Sequence, residues 1–167
     1  FANHAGLAIE NSRLYEETVF LSNTDWMTKL WNYGRFQQSL SFEIEKAKRS
    51  DSTLSLVMAD VDNFKNYNDT LGHMKGDDAL RTIAGVLQSK SRKFDTVARY
   101  GGEEFVIIMP NTPKENARLF AERLRSEVER LFADEKEIQL NKRVTISCGV
   151  ATYSDDANNK DDLILRS

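Results

Sequence analysis

A chain of 167 residues with 40% hydrophobic and 29% charged side chains is large enough to bury one globular core. Its formal net charge of −3 offers no basic field for DNA, RNA or an anionic membrane, although a small anionic ligand can still find a locally positive site. The one cysteine, Cys148, has no partner for an internal disulfide, which fits the cytoplasm; no apolar run is long enough for a membrane span or ordered as a signal peptide.

In chain order, residues 1 to about 22 carry Leu7, Leu14 and Leu21 at heptad spacing, with Ala5, Ala8, Ile9 and Tyr15 nearby, which predicts a helix with an apolar seam. Such a helix either packs on its own domain or pairs with a copy of itself. Ser22-Asn23-Thr24-Asp25 is a run of capping residues that predicts the end of that helix and the start of another near Asp25. Phe36, Leu40, Ile44 and Ala47 then share one helical face. Thr53 to Ala59 is a short, nearly continuous apolar run ending in Asp60-Val61-Asp62, read as a buried central strand that delivers carboxylates at its end. A short helix is expected over Asn63 to Asp69, and another opens at Asp77 with Leu80, Ile83, Ala84 and Leu87 on its buried face. Thr96 to Tyr100 and Phe105 to Met109 form the strands of a hairpin, and Gly101-Gly102 between them predicts a tight reversal that side chains would obstruct. Thr112-Pro113-Lys114-Glu115 reads as a capping box with proline at the first helical position, followed by Ala117, Phe120, Ala121, Leu124, Val128 and Leu131 at helical spacing. Val144 to Ala151 is a final strand, and a helix begins at Asp161 and runs to the end of the sequence. With no initial Met and a last helix cut short, the chain is expected to be a piece of a longer protein.

The order βαββαβ predicts an α/β (α+β) fold with a mostly antiparallel central sheet and flanking helices, preceded by a linker helix. It brings Asp60 close to Glu103 and Glu104 at the hairpin tip. Carboxylates on two adjacent strands suit Mg²⁺, which takes hard oxygen ligands, keeps several waters and commonly binds one or two carboxylates plus substrate phosphates. Two such ions about 3.5–4 Å apart would serve an in-line phosphoryl displacement. Solvated acids on a turn are the simpler alternative. Lys65 has the reach to meet a phosphate as a mobile point charge, and the N–H groups that open the helix after Asp62 add an anion site. Asp60-x-Asp62 fails as a calcium loop, because Lys65 stands where Gly is needed and Leu71 where the bidentate Glu is needed. The sequence has no Walker loop or dinucleotide fingerprint, and His4 and His73 are too isolated for a zinc set; a loop hydrogen bond is the simpler reading of His73.

Gly101-Gly102-Glu103-Glu104-Phe105 is the GGEEF form of the signature of GGDEF domains, the diguanylate cyclases, and the resemblance extends further. Asp60-x-Asp62-x-Phe64-Lys65-x-x-Asn68-Asp69-x-x-Gly72-His73-x-x-Gly76-Asp77-x-x-Leu80 is similar to that family's other long motif, and Asp25-Trp26-Met27-Thr28-Lys29-Leu30-Trp31-Asn32 resembles its opening motif, which usually has Gly where this chain has Lys29. The resemblance covers about residues 24–167 and implies a linker or signalling helix over 1–23 followed by a GGDEF domain with a truncated C-terminal helix. The fold implied is that of nucleotide cyclase and polymerase palm domains. Ala8-Ile9-Glu10-Asn11 and Leu14-Tyr15 look like the closing helix of a GAF-type sensor, which implies a GAF-like domain upstream in the same chain.

The reaction implied by the resemblance is the condensation of two GTP to cyclic di-GMP and two pyrophosphates across a homodimer, with two Mg²⁺ (or Mn²⁺) per active site. Asp60, the backbone carbonyl of Val61 and Glu103 match the family's metal ligands, with Glu104 a contributor. Glu103 also matches the position of the general base, and Lys65 that of the phosphate-stabilising cation. Asn68 and Asp77 match the guanine readers, with His73 and Phe64 at further ligand-contacting positions. A carboxylate accepts from both the N1–H and the exocyclic amine of guanine, whereas N1 of adenine is itself an acceptor, so Asp77 suits guanine. Its local alternative is a helix N-cap. Arg92-x-x-Asp95 resembles the family's inhibitory site for product, with Arg123 at a secondary position; a planar guanidinium grips phosphate and stacks on guanine. The alternative for Arg92 is to complement a helix C-terminus. The family's last helix normally continues past Leu163-Ile164-Leu165-Arg166 with a Lys and an Arg for the triphosphate. Other classes of function are a non-catalytic module that binds GTP or cyclic di-GMP, and a dimerising partner of a sensor. A pure receptor has no need of Asp60, Lys65 and Glu103.

Overall fold

The apolar run that ends at Asp60-Val61 forms strand β1 (Leu54–Val61), buried along most of its length because helices cover both faces of the sheet it centres. The structure, a computed structural model, describes Thr18 and residues 23–133 and 144–167. Within these residues the chain runs α1 (Tyr33–Ser50), β1, α2 (Phe64–Leu71), α3 (His73–Lys90), β2 (Thr96–Gly101), β3 (Glu104–Pro110), α4 (Lys114–Phe132), β4 (Ile146–Tyr153) and α5 (Lys160–Arg166). The sheet is antiparallel throughout, in the order β2-β3-β1-β4. This is the mixed α/β architecture that the element order predicts.

Strand alternation divides the core in two. Val57, Ala59 and Val61 of β1 and Phe105, Ile107 and Met109 of β3 pack with Leu80, Ile83 and Leu87 of α3 and Phe120, Leu124 and Val128 of α4. On the other face, Leu54 and Leu56 of β1 and Val106 and Ile108 of β3 pack with Phe36, Leu40 and Ile44 of α1 and Leu163 of α5. Ser55 is fully buried and satisfied: its hydroxyl donates to the Thr112 carbonyl and pairs with the Thr152 hydroxyl, both at 2.7 Å. That bond set ties β1 to β4 and to the turn before α4.

Several local expectations are corrected by side-chain hydrogen bonds. No helix starts at Asp25, because its carboxylate accepts from the Thr28 N–H and hydroxyl and closes a turn; α1 starts at Tyr33, capped by Asn32 Oδ1, which accepts from the Arg35 N–H at 3.0 Å. Helix α3 starts at His73 and not at Asp77, because Gly72 at φ +86° turns the chain directly from α2 into α3. His73 is therefore exposed on a helix and not in a loop, and Asp77, in the second turn, is no N-cap. The capping box does not form: the Thr112 hydroxyl donates to the Pro110 carbonyl, and Pro113 takes the N-cap position without a side-chain bond. Phe132, 5% exposed, closes the buried stripe of α4 in place of Leu131, 40% exposed. Apart from Thr18, the helix expected over residues 1–22 lies outside the described residues. Among those described, no helix is long and apolar enough to cross a membrane.

Candidate active site

The β1–β3 ladder places Asp60 opposite Glu104, and the Val61 N–H donates to the Glu103 carbonyl at 3.3 Å. Asp60 thus leaves β1 beside both acids of the hairpin, as the element order implies. Burial raises the Asp60 carboxyl above the usual aspartate range, and the negative charges of Glu103, Glu104 and Asp62 push it the same way. Crowded oxygen donors of one sign are what a divalent cation relieves, so the side chains fit a hard divalent cation. Among the described residues no three acidic, imidazole or thiol groups close into a metal cage, which suits an ion completed by water and substrate phosphate. Asp62 is engaged elsewhere: it accepts from the Thr145 and Ser147 hydroxyls, each at 2.6 Å, and anchors the end of β1 to β4.

The turn itself departs from expectation. Neither Gly101 nor Gly102 has a positive φ, a Cβ at Gly102 would meet nothing within 4 Å, and one at Gly101 would make ordinary contact with the Glu104 carboxylate at 3.5 Å. The reversal does not need glycine for its shape. What the glycines provide is open space beside bare backbone. Arg99 fixes this backbone from behind: its Nε and Nη2 donate to the Gly102 carbonyl at 3.1 and 2.7 Å, and its Nη1 donates to both Asp25 oxygens at 3.2 Å. Burial alone would raise the Asp25 carboxyl, but hydrogen bonds from Thr28 and the charge and hydrogen bond of Arg99 outweigh it and hold the group below the usual range. Tyr100 is held edge-on by Tyr33 and Phe36 of α1, at ring separations of 5.1 and 5.7 Å. Asp25 and Arg99 were not singled out as site residues from the sequence; the readable signal is an Asp-x-x-Thr turn together with an Arg two residues before the glycines.

Beyond Asp62, Asn63 begins α2 without a side-chain cap, so the first-turn N–H groups keep their anion-binding capacity. Lys65 is exposed on that turn and makes no ion pair among the described residues. Phe64 is 8% exposed and stacked on Tyr67 in the core, so it backs the site and does not present a face to a ligand. Asn68 lies against Gly76 of α3, and its Oδ1 is buried with no hydrogen-bond partner among the described residues. Asp77, the next residue of α3, is half-buried, with Arg81 Nη2 4.0 Å away; Arg81 Nη1 is committed to Asp78 at 2.7 Å. The α2–α3 hairpin therefore sets Asn68 against Gly76, the residue before Asp77.

Arg92 and Asp95 close a turn on each other. The Arg92 N–H donates to Asp95 Oδ2 at 2.7 Å and the Asp95 N–H to the Arg92 carbonyl at 3.0 Å. Burial raises the Asp95 carboxyl, against the Arg92 N–H and charge, which lower it. Arg92 lies beyond the last turn of α3, whose basic residue is Lys90, and its side chain is exposed. Arg123 sits 5.9 Å over the Phe120 ring and lines a cleft of about 480 Å³ with Lys90, Glu127 and Arg130. Arg92 is not among the residues that line that cleft.

The diguanylate cyclase GGDEF domain family matches residues 22–167. Diguanylate cyclase A of Treponema denticola is 38% identical over 168 residues, covering 99% of this chain and 44% of that protein; the chain thus spans less than half of that relative. Among solved structures, the coiled coil and GGDEF domain of DgcB from Caulobacter crescentus in complex with c-di-GMP matches with a TM-score of 0.80 at 29% identity, over 92% of this chain and 82% of that one. The active GGEEF domain of a diguanylate cyclase from Vibrio cholerae matches with a TM-score of 0.71 at 32% identity, over 81% and 85%.

Proposed function

The chain belongs to the diguanylate cyclase GGDEF domain family, and on that footing we propose that the full-length protein condenses two GTP to cyclic di-GMP and two pyrophosphates at a homodimer interface. The observation that carries this reading is Asp60 aligned with Glu104 at the end of a buried strand, beside a glycine turn whose shape does not require glycine. Open space beside bare backbone and clustered acids suits a nucleotide triphosphate better than it suits a plain hairpin.

In the proposed reaction each subunit holds one GTP. The 3′-hydroxyl oxygen of one bonds to the α-phosphorus of the other, the bond to pyrophosphate breaks, and Glu103 takes the hydroxyl proton; the mirror step closes the ring. When bound, two Mg²⁺ (or Mn²⁺) held by Asp60, the Val61 carbonyl, Glu103 and Glu104 would supply Lewis-acid stabilisation of the phosphate charge. Lys65 swings its free ammonium to the phosphates, and the uncapped start of α2 faces the same anion. Asn68 and Asp77 hold the guanine, with His73 at the rim. Product returns to Arg92 and Asp95, with Arg123 as a second contact, and lowers the rate. The reaction belongs to the cytoplasm, where GTP is, and a GAF-like sensor upstream would act through residues 1–23 by setting how two domains face each other.

The test is incubation of the full-length protein with GTP and Mg²⁺, followed by chromatography for a cyclic dinucleotide. Glu103→Ala is expected to reduce turnover by roughly 10²–10⁴-fold, the usual scale for a positioned general base, with the thermal midpoint kept. Retained turnover would remove Glu103 from the chemistry. A dimer that binds cyclic di-GMP but makes none would be a receptor.

A further inference from the structure

Gly76 faces α2, and the side chain of Asn68 lies across it. A Cβ at Gly76 would fall 1.8 Å from Asn68 Oδ1, 2.8 Å from Asn68 Cγ and 3.2 Å from Phe64 Cζ. The Asn68 amide thus occupies volume that any other residue at 76 would claim, and the buried Phe64 limits retreat to one side. Independently, Asn68 Oδ1 is buried and accepts no hydrogen bond among the described residues. A buried carbonyl oxygen left without a donor is costly, and such groups cluster where a ligand supplies the missing partner. Glycine here does not serve the helix, since alanine at an interior helical position is the more stable choice.

The neighbouring Asp77 sharpens what that partner is. A carboxylate that accepts the guanine N1–H and one hydrogen of the 2-amino group leaves the second amino hydrogen unclaimed. The oxygen held in the Gly76 niche is a further acceptor, lying against the residue that precedes Asp77. We propose that Gly76 is a specificity-positioning residue: its missing side chain lets Asn68 set its carbonyl oxygen beside Asp77, so that the two together read both hydrogens of the guanine 2-amino group. This rests on the guanine reading of the site given above.

The test compares GTP with inosine triphosphate, which keeps the N1–H and lacks the 2-amino group, in steady-state kinetics of the full-length protein and in calorimetric binding of non-hydrolysable GTP. The variants are Gly76→Ala, Asn68→Ala and the double change. Gly76→Ala is expected to raise KM and Kd for GTP by about tenfold, the scale of one lost hydrogen bond to a group left unpaired. KM for inosine triphosphate and kcat should move far less, and the thermal midpoint should stay at or above the parent's. In the double variant Gly76→Ala should add nothing to the loss of GTP preference in Asn68→Ala, because the clash with the Asn68 amide is gone. That comparison also carries the test should the single Gly76 variant not fold, and a further loss of GTP preference there overturns the proposal. If Asn68→Ala loses the preference for GTP while Gly76→Ala keeps it, the guanine reading stands and the role of Gly76 falls. If both keep it, the guanine reading at Asn68 falls and takes the proposal with it.

Discussion

Lys29 shows what a single residue can reveal when it departs from a family's habit. It sits at φ +63°, in the left-handed region where a Cβ costs about 1–2 kcal/mol, and the resemblance to the family's opening motif makes Gly the usual residue there. Glycine's greater unfolded freedom offsets about 0.5–1 kcal/mol. Lys29→Gly is therefore expected to stabilise the protein by about 1 kcal/mol, read as a higher urea midpoint at unchanged slope; no gain would mean that the lysine side chain contributes compensating contacts. Four residues earlier, Asp25 predicts a pH dependence. Its folded pKa lies below the unfolded one, so the native state binds fewer protons there, and this contribution to stability is present above the ordinary aspartate range and lost as pH falls through the folded value. Asp25→Asn should lower stability at neutral pH and flatten the acid limb of the stability curve; an unchanged limb would assign that dependence to other groups. The roles proposed for Asp60 and Asp77 rest on motif and chemistry that the sequence already carries. The Asp25–Arg99 link was not legible there, because its partners stand 74 residues apart and only the fold brings them together.

At the scale of elements, the strands were readable because β1 and β3 are central and buried on both faces, which leaves a continuous apolar run in the sequence. Helix beginnings were the weak point. At Asp25 and Thr112 a side chain bonds to nearby backbone and closes a turn, and the same residue types serve as caps, so local sequence cannot separate the two outcomes. The start of α3 depended on the left-handed Gly72, which hid four residues of helix, His73 to Gly76. The turn at 92–95 supports a clean functional test, because Arg92 holds it through backbone N–H and C=O while its side chain stays exposed. Arg92→Ala should leave the unfolding free energy from urea titration within about 0.5 kcal/mol, as surface substitutions do, and relieve inhibition by added cyclic di-GMP. Unchanged product inhibition would exclude Arg92 from feedback.

For the whole molecule, the proposed reaction draws one GTP from each of two subunits and so would make activity a property of association. Specific activity should fall as the protein is diluted into its monomeric range, followed by cyclic dinucleotide formation at decreasing enzyme concentration; a constant value would place both substrates on one chain. The architecture was legible from element order alone, whereas the heptad pattern of residues 1–22 predicts a helix without naming its partner. The pairing that runs from Leu54 opposite Pro110 to Asp60 opposite Glu104 has a bearing on which changes of chain length the protein tolerates. Asp60 shares a side of the sheet with Leu54 and Leu56, the side covered by α1 and α5. Deleting any one residue between 54 and 59 would barely alter composition, yet it would swing the acid to the opposite side, against α3 and α4. Insertions in surface turns of the same domain carry no such penalty, so variation in length should gather in the turns and spare the interior of β1.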